Sequence, residues 1–307
     1  MRIIFMGTPE FAVPSLNILA DNGYQVVAVV TASDKMGGRG GAQVLESAVK
    51  KAALARGIPV LQPQNLKAPA FVEELRAFSP DLAVVVAFRM LPEVVWALPR
   101  VGTFNLHGSL LPKYRGAAPI NWAIIEGEKE TGVTSFFLRH EIDTGDIILQ
   151  QRIGIGQNET AGELHDRMMI LGAETVLQTV QLIERGNYVL QAQDAEQASK
   201  APKIFHETCE IDFSQPMARV HNFIRGLSPY PAAWTRLGGK ELKIFLTTID
   251  DQTPKHPPGA FLSKNPKSLK VATLDGYLNI LELQPEGKKR MDAAAFLNGY
   301  RSLVTSD

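Results

Sequence analysis

Arg2-Ile3-Ile4-Phe5-Met6-Gly7-Thr8-Pro9-Glu10 opens the chain with a short apolar strand that breaks at once into a helix start. Thr8 suits the N-cap and Pro9 the first helical position, where its missing N–H is harmless. The helix is expected to pass through Phe11, Leu16 and Leu19 to a stop signal at Asn22-Gly23. The alternation then continues: a buried strand over 25–31, a helix over 45–56, a short strand at Val60-Leu61 and a helix over 69–78. Leu82-Ala83-Val84-Val85-Val86-Ala87 follows as a run with no polar face. Such a strand is covered on both sides, and strands alternating with helices build βαβ units around a parallel sheet. The fold class is therefore α/β, a Rossmann-like layer structure with a mostly parallel sheet. Ligands of such sheets gather beyond the carboxyl ends of the strands, so chemistry is expected in the segments just after them.

Residues 161–185 read as a long closing helix, with Leu164, Met168, Leu171, Val176 and Ile183 near helical spacing. After Gly186 the pattern dissolves into a polar stretch rich in Gln and Ala, read as an extended linker. Residues 219–226 look helical, and strand signals at 242–247, 269–273 and 278–283 are punctuated by Gly and Pro. Short strands at that spacing suggest a small β-barrel, of a type the pattern does not specify. The expected division is 1–186, a linker over 187–206, and a second domain over 207–307.

A length of 307 residues fits two domains, and Lys+Arg and Asp+Glu balance at 32 each. That balance argues against a surface coated in positive charge, although a local basic patch suffices for phosphate contacts. One cysteine, Cys209, has no internal disulfide partner and fits a reducing compartment. The first residues lack the apolar region of a signal peptide, and nothing later approaches a membrane-spanning length. The expectation is a cytoplasmic protein.

Gly7-Thr8-Pro9 lies where a phosphate-binding turn would, but it matches neither G-x-G-x-x-G nor G-x-x-x-x-G-K-[ST]. One glycine at a strand-to-helix turn reads as geometry. The most informative stretch is Thr103-Phe104-Asn105-Leu106-His107-Gly108-Ser109-Leu110-Leu111-Pro112. Thr103 to Asn105 reads as the end of a strand, so Asn105 and His107 alternate onto one side. An Asn amide can donate to a developing oxyanion, and an imidazole can move a proton near neutral pH. The pair suits acyl transfer; a lone His at a strand end would more simply be structural. His140-Glu141-Ile142-Asp143-Thr144-Gly145-Asp146 gathers four titratable side chains. It reads as a solvated acidic turn, or as the source of a carboxylate, Asp143, that orients and charges His107. No second His or Cys lies at ligand spacing, so no metal is expected.

Residues 105–116, Asn-Leu-His-Gly-Ser-Leu-Leu-Pro-Lys-Tyr-Arg-Gly, followed by Asp143-Thr144-Gly145-Asp146, resemble the signature of folate-dependent formyltransferases. Gly7-Thr8-Pro9-Glu10-Phe11, Gly38-Arg39-Gly40, Arg115-Gly116-Ala117-Ala118-Pro119-Ile120, Ser228-Pro229-Tyr230-Pro231-Ala232 and Gly287-Lys288-Lys289 resemble the subgroup acting on an aminoacyl-tRNA. The resemblance implies a catalytic domain, a linker and a C-terminal OB-like barrel. It implies 10-formyltetrahydrofolate as donor and the methionine α-amino group of initiator tRNA as acceptor, with no metal and no obligate protein partner; monomer is the default. Asn105, His107 and Asp143 fall on its catalytic positions. Ser109, Leu110, Leu111 and Pro112 fall on the folate-contacting stretch, and the backbone of Arg89, Met90 and Leu91 is expected to line the pterin pocket. Arg39 falls on the loop arginine that meets the tRNA acceptor end. Lys200, Lys203, Lys288, Lys289 and Arg290 are expected to track phosphates, a solvated turn being the alternative at 288–290. Two departures stand out: Gly41-Ala42-Gln43 replaces further lysines common in the loop, and Phe88-Arg89-Met90-Leu91 replaces a common Tyr-Gly form.

Overall fold

The computed structural model describes residues 1–37 and 43–306. Two compact units divide the chain. The first comprises Met1–Gly116, Gly132–Ile153 and His165–Lys200; the second comprises Ala117–Thr131, Gly154–Leu164 and Ala201–Asp307.

In the first unit seven strands form one sheet. Their spatial order is Val60–Leu61, Gln25–Val30, Arg2–Gly7, Leu82–Val86, Gly102–His107, Glu130–Phe137 and Ile147–Gly154. The first five pair in parallel. Numbered along the chain they run 3-2-1-4-5, the doubly wound order whose switch point lies between the first and fourth strands. Glu130–Phe137 then adds antiparallel to Gly102–His107, an extension that the alternation pattern did not reveal. Leu82–Val86 is buried at every residue, as its unbroken apolar run requires. One face packs Ile4, Met6, Val30 and Val85 against Phe71, Leu75 and Val95. Over the other lies helix Ala161–Glu184. It approaches so closely that a Cβ on Gly172 would stand 2.8 Å from Leu106 Cδ2. At the switch point, a Cβ on Gly7 would meet Ala12 Cβ at 2.8 Å and the Val86 carbonyl oxygen at 3.0 Å. Close packing accounts for that glycine.

The first helix departs from expectation. Glu10–Ala12 is a 3-10 turn capped at Pro9, and the α-helix proper is Val13–Asp21. Pro14 is the cause. In a helix starting at Pro9 its ring would collide with the Glu10 carbonyl, whereas second in a helix starting at Val13 it is harmless. The next helix is also shorter than expected, Ala48–Ala55, because Ser47 caps it by accepting from Lys50 N at 3.0 Å. Gln43–Leu45 pairs instead with Lys35–Gly37.

In the second unit Ala233–Leu237, Lys240–Asp250, Tyr277–Pro285, Ser268–Ala272 and Phe261–Asn265 pair in that order, each antiparallel to the next. Register shifts between Ile244 and Thr247 mark bulges, which bend the sheet. The expected β-rich half is thus a curled sheet. Its pairings run as an open path, and closure of an OB type is not among those of the described residues. Helix Met217–Leu227 sends Val220, Ile224 and Leu227 into one core with Trp234, Leu242, Leu278 and Phe296. Residues 117–131 and 154–164, expected with the N-terminal half, pack here for a visible reason. Ile125 belongs to this core. Asn121 Nδ2 donates to the Gly226 carbonyl at 2.8 Å. The buried Arg225 donates to the carbonyls of Gly156 at 3.2 Å and Glu159 at 2.9 Å.

Candidate active site

Strand Gly102–His107 runs two residues further than the sequence suggested. Asn105 stands opposite Phe136 and His107 opposite Thr134 in the antiparallel neighbour, without a register break. Asn105 and His107 therefore share one face at the strand's carboxyl end, while Leu106 faces the long helix. Asn105 is half-buried, and among the described residues nothing hydrogen-bonds its side chain. Both amide donors are free for a ligand.

His107 is buried. Its Nε2 lies 2.8 Å from the Tyr114 carbonyl oxygen. A carbonyl only accepts, so Nε2 carries the hydrogen and Nδ1 is left as the second functional nitrogen. Nδ1 stands 3.8 Å from Asp143 Oδ2, beyond hydrogen-bond length. Orientation of the ring thus comes from a backbone carbonyl, with the Asp143 carboxyl group standing beside Nδ1. A proton taken up at Nδ1 turns a contact between a lone pair and a carboxylate into an ion pair. The carboxylate is itself held, since Gly116 N donates to Asp143 Oδ2 at 3.0 Å. Asp143 has φ of 55°, in the left-handed region that Asp tolerates better than most residues. Two residues on, a Cβ on Gly145 would come within 1.6 Å of the Phe137 carbonyl oxygen, so the loop can pass there only with glycine.

Two other titratable groups of that loop, His140 and Asp146, are engaged elsewhere. His140 Nε2 approaches Glu93 at 3.3 Å and its ring packs edge-on against Trp96. Asp146 pairs with Arg139. Among the described residues no group of three or more His, Cys, Asp or Glu converges to hold a metal ion.

Residues 109–112 form a tight turn beside the pair. Ser109 is fully buried, and its hydroxyl donates to the Lys113 carbonyl at 2.6 Å. Thr134 ties the turn to the sheet by donating to the Ser109 carbonyl at 2.6 Å and accepting from Leu111 N at 3.1 Å. Leu111 is buried with Phe136 and Ile147, while Leu110 and Pro112 are half-buried. Beyond the fourth parallel strand, Leu91 is buried and Met90 is 71% exposed. Arg89 turns its guanidinium onto the carbonyls of Pro63 and Gln64. Among the described residues the backbone of 87–91 makes no hydrogen bond within the chain. Its peptide edges are therefore left unpaired within the chain.

Of the basic residues singled out, Arg39 lies outside the described residues. Lys200, Lys203, Lys288 and Lys289 are exposed, with the Lys203 ammonium 5.2 Å from the centre of the Phe205 ring. Arg290 is engaged, paired with Glu282 and 4.4 Å above the Phe245 ring. The groups that sequence reasoning missed, Tyr114 C=O and Gly116 N–H, act through backbone atoms, which carry no residue-type signal.

A family profile described as formyl transferase matches residues 1–180, and one described as formyl transferase, C-terminal domain, matches residues 203–301. A methionyl-tRNA formyltransferase of Parabacteroides distasonis is 50% identical over 314 residues, covering 99% of this chain and 97% of that protein. Among solved structures, an N-formyltransferase from Helicobacter canadensis with folinic acid and dTDP-3-aminofucose superposes with a TM-score of 0.68. It is 21% identical and covers 94% of this chain and 99% of its own. HypX from Aquifex aeolicus with tetrahydrofolic acid gives 0.67 at 20% identity over all of this chain, which spans 48% of HypX. These two likenesses concern the fold. The matches to both halves and the identity sustained along the whole length place the chain in the formyl transferase family, among the methionyl-tRNA formyltransferases.

Proposed function

We propose that the chain transfers the formyl group of 10-formyltetrahydrofolate to the free amino group of methionyl initiator tRNA. The observation that carries this reading is the convergence of Asn105, His107 and Asp143 at one strand end, in a chain 50% identical to a methionyl-tRNA formyltransferase.

The amine nitrogen attacks the formyl carbon, a C–N bond forms, and the carbonyl oxygen becomes an oxyanion. Asn105 donates to that oxyanion. His107 accepts the amine proton at Nδ1, with the Asp143 carboxylate stabilising the charge, and returns it to the folate nitrogen as the old C–N bond breaks. The products are N-formylmethionyl-tRNA and tetrahydrofolate, so the proton balance closes without a further reactant. Holding both substrates in register is worth about 7–11 kcal/mol.

The donor fits the residues present. The unpaired peptide edges of 87–91 and the turn over 109–112 flank the strand end, and an amide-rich heterocycle is a natural partner for such edges. Because Arg89 is turned onto two carbonyls, recognition there rests on backbone. For tRNA, Arg39 meets the acceptor end, and Lys200, Lys203, Lys288 and Lys289 track phosphates, while Arg290, expected among them, is already engaged by Glu282 and Phe245. By function, 1–186 is catalytic, 187–206 connects, and 207–307 binds tRNA as a curled, OB-like module. The protein acts as a cytoplasmic monomer.

Labelled 10-formyltetrahydrofolate offered with methionyl initiator tRNA, methionyl elongator tRNA, glycinamide ribonucleotide and an amino-sugar nucleotide tests the reading. Label is expected on the initiator tRNA. Label on a small amine alone would replace this acceptor with that one.

A further inference from the structure

The polar stretch after residue 186, read from sequence as a linker, makes two sets of contacts that bear on the catalytic pair. Within residues 191–200, Gln193 and Ser199 are the two that are not exposed. Gln193 Nε2 donates to the carbonyls of Asp143 and Gly145, both at 2.8 Å. Its Oε1 accepts from Arg115, at 3.1 Å from Nε and 2.7 Å from Nη2. One side chain therefore clamps the loop that carries Asp143 to the loop that carries Tyr114 and Gly116. Ser199 grips the latter loop again. Its Oγ accepts from Tyr114 N at 2.9 Å, and its carbonyl accepts from Arg115 N at 2.9 Å. Tyr114 has φ of 58°, an uncommon conformation for a bulky side chain that persists only where its surroundings hold it. In that conformation its carbonyl reaches His107 Nε2.

We propose that Gln193 and Ser199 are positioning residues for the transfer reaction. Ser199 holds the Tyr114 carbonyl that fixes the His107 ring with Nδ1 turned to the site, and Gln193 holds the backbone of Asp143 at the distance where its charge serves Nδ1. This rests on the catalytic reading of His107 and Asp143 given above. Two chain segments distant in sequence are brought to one another by residues whose hydrogen bonds run to the protein itself. Their loss should therefore lower kcat while leaving KM for both substrates in place.

The test uses the full-length protein and four variants. Gln193→Glu keeps the acceptor for Arg115 and loses both donors. Ser199→Ala loses the acceptor for Tyr114 N, and Ser199→Thr keeps it. His107→Ala is the control for the catalytic reading. Expected results are a fall in kcat of tenfold or more for Gln193→Glu and Ser199→Ala, KM within twofold of wild type, and recovery in Ser199→Thr. Nitrogen-15 spectra of the His107 ring supply a readout that general loosening of the fold would not mimic. A slowly exchanging Nε2 proton should be present in the wild type and in Ser199→Thr, and lost by exchange in Ser199→Ala, while urea midpoints change little. Unchanged kcat in Gln193→Glu and Ser199→Ala, or a kcat loss that only parallels lost stability with the ring proton intact, overturns the proposal. If His107→Ala itself retains full single-turnover rates, the catalytic reading falls, and that outcome is separate from the first.

Discussion

Two histidines are buried among the described residues, and they sit in opposite electrostatic surroundings. His107, in the first unit, ends a parallel strand with a carboxylate 3.8 Å from Nδ1 and a carbonyl holding Nε2. His221, in the second unit, lies mid-helix between Met217 and Leu227, its Nδ1 bound to the Thr247 hydroxyl at 2.8 Å. Its Nε2 is buried and, among the described residues, makes no well-formed hydrogen bond, the Gln157 backbone being the nearby polar group. Burial, first, and the neighbouring Arg225 guanidinium, second, push the His221 ring down to about 4. Burial alone therefore does not make a histidine a site. An anion in reach, together with a ring orientation fixed from outside, distinguishes the one proposed to move a proton in turnover from the one kept neutral in a core.

The sharpest way to break this contrast is to remove each ring in turn. His107→Ala is expected to lower the single-turnover rate by roughly 10²–10⁴-fold, the usual worth of a positioned acid–base group. Asn105→Ala should cost about 10²–10³-fold, as loss of an oxyanion donor does. Folate affinity and urea midpoint should hardly move in either. His221→Leu should do the reverse, leaving the rate intact. Equal effects on turnover from His107→Ala and His221→Leu would erase the distinction.

The next effect is on stability and concerns His221 alone. The unfolded ring takes up a proton below about 6.5, while the folded ring resists until about 4. Between those values the unfolded state binds more protons, so stability from this residue is complete above the upper value and is lost as pH falls toward the lower one. The shift corresponds to something on the order of 3 kcal/mol. Urea unfolding of the second unit, followed through Trp122 and Trp234 in a Trp96→Phe background, should show the loss between pH 7 and pH 4.5. His221→Leu should flatten that dependence. A wild-type unit equally stable at both pH values would mean that the ring is solvated in the folded protein.

The same pair shows what the sequence could convey. Asn105 and His107 were legible because strand alternation puts residues two apart on one face, and because that combination suits an oxyanion and a proton. The parallel sheet was legible because Leu82–Val86 has no polar face to expose. What holds His107 in place was not legible. The Tyr114 carbonyl and the Gly116 N–H are present whatever the residue type, and Gln193 lies in a stretch whose composition matches any polar connector. His221 carried little signal either: Arg225 follows it at helical spacing on the same element, but Thr247 comes beside it only after the helix packs on the sheet. The interleaving of 117–131 and 154–164 with the second unit depends on Ile125 finding the far core. Hydrophobic pattern says that Ile125 is buried but not among which partners.

The smallest expected effect separates charges that are free from charges already engaged. Lys288 and Lys289 lie on an exposed turn, whereas Arg290 is paired with Glu282 and stacked over Phe245. Each lysine that neutralises a tRNA phosphate releases counterions, so replacing both by Ala should flatten the dependence of log K on log salt by roughly 1.4–1.8. Arg290→Ala should leave that slope nearly unchanged, because Glu282 already offsets its charge. It should instead cost about 1 kcal/mol of stability, the scale of an exposed ion pair combined with a cation–π contact. Filter binding of methionyl initiator tRNA across a salt series measures the slopes, and urea midpoints measure the stability. If Arg290→Ala changed the slope as much as the lysines do, the arginine would have to leave Glu282 and Phe245 on binding, and the contact seen in the free protein would be a resting place for a phosphate ligand. If none of the three changed it, the turn would be the solvated loop that its sequence equally allows.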